Sequence, residues 1–269
     1  MVDLLDLSEQ YKDDEKLSTR KRIHRTYSVN KIDTQEEAIR RIGNATSVLD
    51  IGCGGGEVLL KLRSKGFKGR LKGIDKYDIF KKVAKFSKEK NLDIEFEQID
   101  IAKQTESNNW DVGVMVSILV YVPEFRDVIK RYSKICKKIV MVDVGPEGYP
   151  RLHKVLLREI EEMFNLKMKT LGIGFSLYDA IIELMKYYET INIQKLDDAF
   201  RFLDADPIVE YFNTHGRGAW IPEPTESKWN EILAYVRSVA QKEIEANGVW
   251  IEPKPYYVVI AENPVKKIM

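Results

Sequence analysis

Between Val48 and Glu57 the chain reads Val-Leu-Asp-Ile-Gly-Cys-Gly-Gly-Gly-Glu. An apolar run that enters clustered glycines and then a helical pattern narrows the fold sharply. Glycines let the backbone turn at positive φ and come close to a ligand, and the free N–H groups of the next helix point at it. A dinucleotide loop would be Gly-x-Gly-x-x-Gly, with pyrophosphate over the helix start. Here that last position is Glu57, whose carboxylate would repel pyrophosphate. The pattern is instead Gly-x-Gly-x-Gly, across Gly52, Gly54 and Gly56, with Asp50 just ahead. An acid there suits a ligand that carries an ammonium.

The rest of the first half alternates short apolar runs with helical periodicity. Residues 47–51, 70–75, 94–99, 111–116 and 139–144 read as strands. Residues 57–65, 79–89 and a segment opened by Pro123, with Phe125, Val128, Ile129 and Tyr132 on one face, read as helices. Thr34 with Glu37 predicts a capping box for a short helix ending at Gly43. Such alternation predicts parallel βαβ units, hence an α/β fold with a doubly wound, mainly parallel sheet. Past Pro150 the pattern changes to helices near 152–163, 176–188 and 227–245, strands near 191–196 and 256–261, and a loop at His-Gly-Arg-Gly-Ala-Trp-Ile-Pro-Glu-Pro. The expected organisation is an N-terminal lid segment, 1–33, and one domain, 34–269, with helical insertions at about 146–190 and 197–253.

Composition excludes several classes. Lys plus Arg is 43 against 42 for Asp plus Glu, so a net charge of +1 argues against binding nucleic acid by bulk electrostatics. Cys53 and Cys136 are too few for a disulfide framework or zinc cluster and fit a reducing compartment. The N-terminus carries acid where a signal peptide needs basic residues, and the longest apolar stretch, 112–122, is too short to span a bilayer. The expectation is a cytoplasmic protein without membrane association.

Two further acids define the ligand. Asp75 ends the second strand, where open α/β sheets place an acid on ribose hydroxyls. Asp100 ends the third, where it can accept from an exocyclic amine such as adenine N6. With Asp50, they describe an amino-acid-bearing nucleoside without phosphates, which is S-adenosylmethionine.

At this point the chain resembles the class I S-adenosylmethionine-dependent methyltransferases, which have a Rossmann-like fold. The resemblance covers about residues 45–145: Val-Leu-Asp-Ile-Gly-Cys-Gly-Gly-Gly-Glu is similar to the first motif, Gly-Ile-Asp-Lys-Tyr-Asp to the second and Glu-Gln-Ile-Asp-Ile-Ala to the third. The stretch from Trp110-Asp111 to Val122-Pro123-Glu124 resembles the fourth-strand motif. The resemblance implies that Gly52, Gly54 and Gly56 line the methionine part and that Asp50 reaches its amino group. By the same likeness Asp75 holds the ribose, with Lys76 and Tyr77 beside it. Asp100 and Ile101 recognise adenine, and the backbone at Val116 and Ser117 meets the methionine end. The N-terminal stretch with Tyr11, Arg20 and His24 is similar to the lid helix of several small-molecule methyltransferases, in which Arg20 would pair with the cofactor carboxylate. A solvated basic helix is the equal alternative.

The acceptor is less legible. Methyl transfer from a sulfonium needs an acceptor lone pair in line with the methyl carbon and water kept out, and only a hydroxyl acceptor needs a base. Many relatives carry Glu-His or His-His after the fourth strand; this chain has Val120-Tyr121, and no metal is expected. The absence of an Asn/Asp-Pro-Pro-Tyr/Phe motif disfavours amino methylation of DNA bases or protein glutamine. Tyr121, Asp143, Tyr149 and His153 are the candidates for the acceptor site, with His153 either a base or a solvated helix residue. His215 is the other candidate base. The leading expectation is methyl transfer to N or O of a small molecule, under a roof formed by the C-terminal insertions. An RNA methyltransferase, using basic residues of 16–25 and 79–90, and a non-catalytic cofactor-binding subunit are the alternatives.

Overall fold

In the computed structural model, residues 14–103, 106–166, 175–216, 221 and 224–265 are described. They contain nine strands, β1 (Ser47–Ile51), β2 (Arg70–Asp75), β3 (Glu95–Gln98), β4 (Trp110–Val116), β5 (Cys136–Val144), β6 (Tyr188–Leu196), β7 (Ala199–Phe202), β8 (Trp250–Pro253) and β9 (Tyr256–Pro264). Helices are α1 (Asp14–Tyr27), α2 (Thr34–Ile39), α3 (Glu57–Ser64), α4 (Lys81–Glu89), α5 (Phe125–Tyr132), α6 (Leu156–Phe164), α7 (Leu177–Leu184), α8 (Asp206–Gly216) and α9 (Glu226–Asn247). They fall into two units, one drawn from Asp33–Pro146, Gly172–Leu196 and Tyr256–Met269, the other from Met1–Ile32, Glu147–Leu171 and Asp197–Pro255.

The first unit holds a seven-stranded sheet in the order β3-β2-β1-β4-β5-β9-β6. The five leading strands are parallel, and β9 runs antiparallel to both β5 and β6. This is the expected doubly wound, mainly parallel α/β sheet. Chain order reverses between β1 and β4, and in open α/β sheets a crevice for ligands lies at the carboxyl ends of such a pair.

Apolar side chains alternate across the pleat to make two cores. Leu49, Ile51, Met115, Ile139 and Met141 share one face with Phe125 and Ile129 of α5 and Ala180 and Leu184 of α7. Val48, Val112, Val114, Val140 and Val142 share the other with Ala38 of α2 and Val58, Leu59 and Leu62 of α3. The segment 177–184, expected in an insertion, thus belongs to the sheet unit.

The expected capping box at Thr34 and Glu37 does not form. Asp33 is the N-cap: its Oδ1 accepts from the N–H groups of Gln35 and Glu36, both at 3.0 Å. Thr34 is already helical, so its hydroxyl cannot serve the orphan donors that lie ahead of it. Glu37 instead pairs along the helix with Arg40 and Arg41.

The second unit pairs β7 with β8 and packs α1, α6, α8 and α9 on a core that includes Ile23, Phe200, Phe202, Ile208, Phe212, Trp229 and Trp250. The expected loop at His215-Gly216 is helical there, forming the end of α8; Asp206-Pro207 is a helix start that the sequence reading passed over. At its centre Lys254 and Asp198 form a fully buried ion pair. Asp198 Oδ1 also accepts from the N–H groups of Asn30 at 3.0 Å and Ala199 at 2.9 Å, satisfying the buried carboxylate. Among the described residues no helix is long and apolar enough to cross a membrane.

Candidate cofactor site

The loop after β1 is fixed by backbone hydrogen bonds. Gly52 and Cys53 N–H both donate to the Ile74 carbonyl, at 2.8 and 3.0 Å, hooking the loop onto β2. Gly56 N–H closes back on the Cys53 carbonyl at 2.8 Å, and α3 starts at the next residue. Gly52, Gly54 and Gly56 have φ of +76°, +52° and +75°, a region that favours glycine. Their surroundings differ. A Cβ on Gly52 would lie 2.3 Å from Ile118 Cγ1, and one on Gly56 would lie 2.7 Å from the Phe96 ring, whereas one on Gly54 would meet nothing within 4 Å. Gly52 and Gly56 therefore serve the protein's own packing, and Gly54 faces the open side of the loop.

Asp50, near the end of β1, is 2 % exposed, and its Oδ2 has no hydrogen-bond partner. Burial first, then the charges of Asp75 and Glu57, pushes its carboxyl up to about 8. A buried oxygen without a donor is the kind of group a ligand cation completes. Asp75 is also buried, and its two oxygens accept from Tyr77 N–H and Gly54 N–H, each at 2.9 Å. Burial raises its carboxyl despite those bonds. Cys53 is also buried, and burial, then Asp50 and Asp75, pushes its thiol far above neutrality.

Asp100 lies two residues beyond the end of β3, in the turn that follows it. Its Oδ1 accepts from Ala102 N–H at 3.1 Å, and Lys76 and Lys103 approach its Oδ2 at 3.9 and 3.7 Å. Ile101 is buried. Arg131, which the sequence pattern does not single out, also acts here: from α5 its Nη2 donates to the carbonyls of Ile101 at 2.8 Å and Ala102 at 2.7 Å, pinning this turn. Phe80, stacked on Phe96 with centroids 5.4 Å apart, is a second such support, since it holds the ring that lies against Gly56. An arginine in the last turn of an amphipathic helix reads from sequence as a dipole partner, and nothing in the pattern shows where it reaches.

The ends of β4 and β5 carry the remaining candidates of this unit. Ser117 sits at φ +51°, its N–H donating to the Val142 carbonyl at 2.9 Å, so a non-glycine residue is held in left-handed backbone where the chain leaves β4. Such strain concentrates at ligand sites. Tyr121 ends the short 3-10 turn Leu119–Tyr121 and is half-buried. Asp143 is buried on β5; its Oδ1 accepts from Val144 N–H at 2.8 Å and its Oδ2 has no hydrogen-bond partner. Burial pushes its carboxyl up to about 7. The orphaned oxygen of Asp50, the open Gly54 and the two-sided Asp75 are the chemistry a nucleoside with an ammonium requires, so the residues present fit S-adenosylmethionine.

The second unit places the other candidates. Arg20, on α1, is buried, with Nε and Nη2 both lacking hydrogen-bond partners. His24 lies edge-on to Phe200 and Tyr211, with centroids 4.7 and 5.8 Å apart. Tyr149, in left-handed backbone at φ +52°, stacks on His153 at 4.6 Å. His153 is half-buried in a π-helical turn, Pro150–Val155, rather than solvated on an ordinary helix. Burial pushes both His24 and His153 down to about 3, with Lys254 adding to the effect at His24 and Lys154 at His153. Tyr11 lies outside the described residues.

The family profile described as "Methyltransferase domain" matches residues 42–212. Solved structures with the same fold include the YcgJ protein of Bacillus subtilis, at 13% identity and a TM-score of 0.58, covering 86% of this chain and 98% of that one. A candidate methyltransferase of Bacillus halodurans is 15% identical, with a TM-score of 0.56 and coverage of 86% and 99%. An O-methyltransferase family protein of Burkholderia thailandensis is 10% identical, with a TM-score of 0.52 and coverage of 97% and 64%. Among curated proteins no sequence matches.

Proposed function

The chain belongs to the methyltransferase-domain family, of the class that uses S-adenosylmethionine, and from that premise we propose that it methylates nitrogen or oxygen of a small-molecule acceptor. When bound, the cofactor supplies a methyl carbon activated by the adjacent sulfonium. In this reading Asp50 takes the ammonium, Asp75 the ribose hydroxyls, and Asp100 with Ile101 the adenine. Lys76 flanks the ribose, and the Ser117 backbone lines the methionine end.

An amine that arrives neutral needs only positioning, whereas a hydroxyl must lose its proton to a base. Asp143 is suited to accept it, because burial holds its carboxyl near neutrality. His153 is the weaker candidate, because its imidazole keeps one lone pair at pH 7 but burial lowers its basicity. Tyr121, with a phenol that donates and accepts, is suited to orient the acceptor.

The observation that supports a small acceptor over RNA is the charge balance, 43 basic against 42 acidic residues. The lysines of α4 are the strongest feature for RNA, but Lys81 pairs with Asp78 and Lys85 lies 3.9 Å from Glu89, on a chain of net charge +1. Methyl-labelled S-adenosylmethionine offered with a panel of amines and phenols, and separately with total RNA, tests the reading. Label on small molecules supports it; label on RNA, with binding that falls steeply with salt, replaces it. Cofactor binding without transfer to either marks a non-catalytic partner subunit.

A further inference from the structure

We propose that the second unit carries a recognition site for a carboxylate on the methyl acceptor, anchored by Arg20. The inference rests on the methyltransferase reading and adds the class of acceptor to it.

Arg20 is 7 % exposed, and its Nε and Nη2 are buried without hydrogen-bond partners. Those two nitrogens form the edge of the guanidinium whose N–H bonds run parallel, the edge that takes a carboxylate through two hydrogen bonds at once. A guanidinium cannot shed its proton as a buried lysine can, so an unpaired one in the interior is costly. Three acids of the unit, Asp198, Glu252 and Glu210, are engaged elsewhere. Asp198 pairs with Lys254 and accepts from the N–H groups of Asn30 and Ala199. Glu252 accepts from the N–H groups of Arg151 and Leu152 and from the Trp250 indole. Glu210 pairs with Arg22. Among the described residues none is hydrogen-bonded to the bidentate edge of Arg20, which is left for an anion.

His24, one turn further along α1, shares the face of Arg20 and is uncharged at neutral pH. It therefore adds no second positive charge, and a single carboxylate matches the site better than a phosphate would. The source of the carboxylate follows from position. Asp50, Gly54, Asp75, Asp100 and Ser117 all lie within the family match at 42–212, and Arg20 lies outside it. The cofactor is common to the family, whereas the acceptor distinguishes one member from another, so a device outside the shared segment is assigned to the acceptor.

The test is a titration followed by 15N NMR at arginine Nε–H, with the Arg20 resonance assigned by its loss in Arg20→Lys. Benzoate, with benzamide as its uncharged counterpart, is the probe, added to the full chain with and without S-adenosylhomocysteine. The proposal expects a saturable shift with benzoate and none with benzamide, unaffected by S-adenosylhomocysteine. It also expects Arg20→Met to raise the melting temperature of the unliganded protein, because an unpaired buried charge is removed. No shift with benzoate, an equal shift with benzamide, or unfolding of Arg20→Met would overturn it. So would a shift by S-adenosylhomocysteine alone that blocks benzoate, since the carboxylate would then be the cofactor's. The Gly54 amide resonance separates the two readings: failure to respond to S-adenosylhomocysteine defeats the cofactor site, whatever Arg20 does.

Discussion

The backbone N–H of Gly54 donates to Asp75 Oδ2 at 2.9 Å. One carboxylate at the end of β2 thus shapes the glycine loop after β1, while its other oxygen accepts from Tyr77 N–H at 2.9 Å. Asp75→Asn keeps the volume but puts an NH2 against one of two backbone donors, leaving a buried N–H unsatisfied. That costs about 1–3 kcal/mol. Urea denaturation should show a loss of this size for Asp75→Asn, although no apolar contact changes.

Gly54 and Gly56 should respond differently to alanine. Both are at positive φ, which costs an alanine roughly 1–2 kcal/mol. At Gly56 the new methyl also meets the Phe96 ring at 2.7 Å, so overpacking raises the expected total to about 2–4 kcal/mol. Phe96→Leu should return part of that loss. At Gly54 the methyl meets no protein atom, so stability falls only by the backbone strain. Calorimetric affinity for S-adenosylhomocysteine should nevertheless fall about tenfold or more, a loss of ~1.4 kcal/mol at least.

The pH dependence of stability follows from two acids and two histidines. Asp50 and Asp143 titrate at about 8 and about 7 in the folded chain against an ordinary 3.8. From 3.8 upward the unfolded chain gives up these protons while the folded chain keeps them. The contribution of these acids to stability therefore falls as pH rises through that window, while His24 and His153, held at about 3 against an ordinary 6.5, contribute the opposite slope up to 6.5, so the net fall lies between about 6.5 and 8. Asp143→Asn should remove the share of Asp143 from the slope below pH 7 and leave the share of Asp50, which runs on to about 8, read from urea midpoints at a series of pH values. Because a ligand ammonium favours ionised Asp50, affinity for S-adenosylhomocysteine should rise between pH 6 and 8, and Asp50→Asn should abolish the rise.

In the second unit Lys254→Met strands the Asp198 carboxylate in the interior, where Asn30 and Ala199 N–H are its remaining partners on Oδ1. The single substitution should cost about 3–5 kcal/mol. The double variant Lys254→Met with Asp198→Asn should cost clearly less, because no unpaired charge is left; chemical denaturation of the three proteins checks the order.

The sheet, with Asp50 and Asp75 near the ends of its first two strands, was legible because each signal is local. Val48 to Glu57 holds strand, turn and helix start in ten residues, and period-two alternation identifies the buried strands. What escaped depends on long-range partners. The reach of Arg131 to the Ile101 carbonyl, the support of Gly56 by Phe96 and Phe80, and the strained Ser117 leave no mark on nearby sequence. The second unit was hardest, since its three segments are distant along the chain and its short strands β7 and β8 form a two-stranded sheet that distant Ser28 joins by a bridge to Phe200. Arg20 read equally well as a solvated residue, because burial of one basic side chain on a polar helix has no periodic signature.

The central claim is a cofactor site built on Asp75, and titration calorimetry of S-adenosylhomocysteine against wild type and Asp75→Ala, with NAD as the comparator, tests it most directly. The account predicts micromolar binding to wild type, a loss of about a hundredfold or more in Asp75→Ala, or ~2.7 kcal/mol, and no binding of NAD. Equal affinity in the two proteins, or binding of NAD in place of S-adenosylhomocysteine, would contradict it.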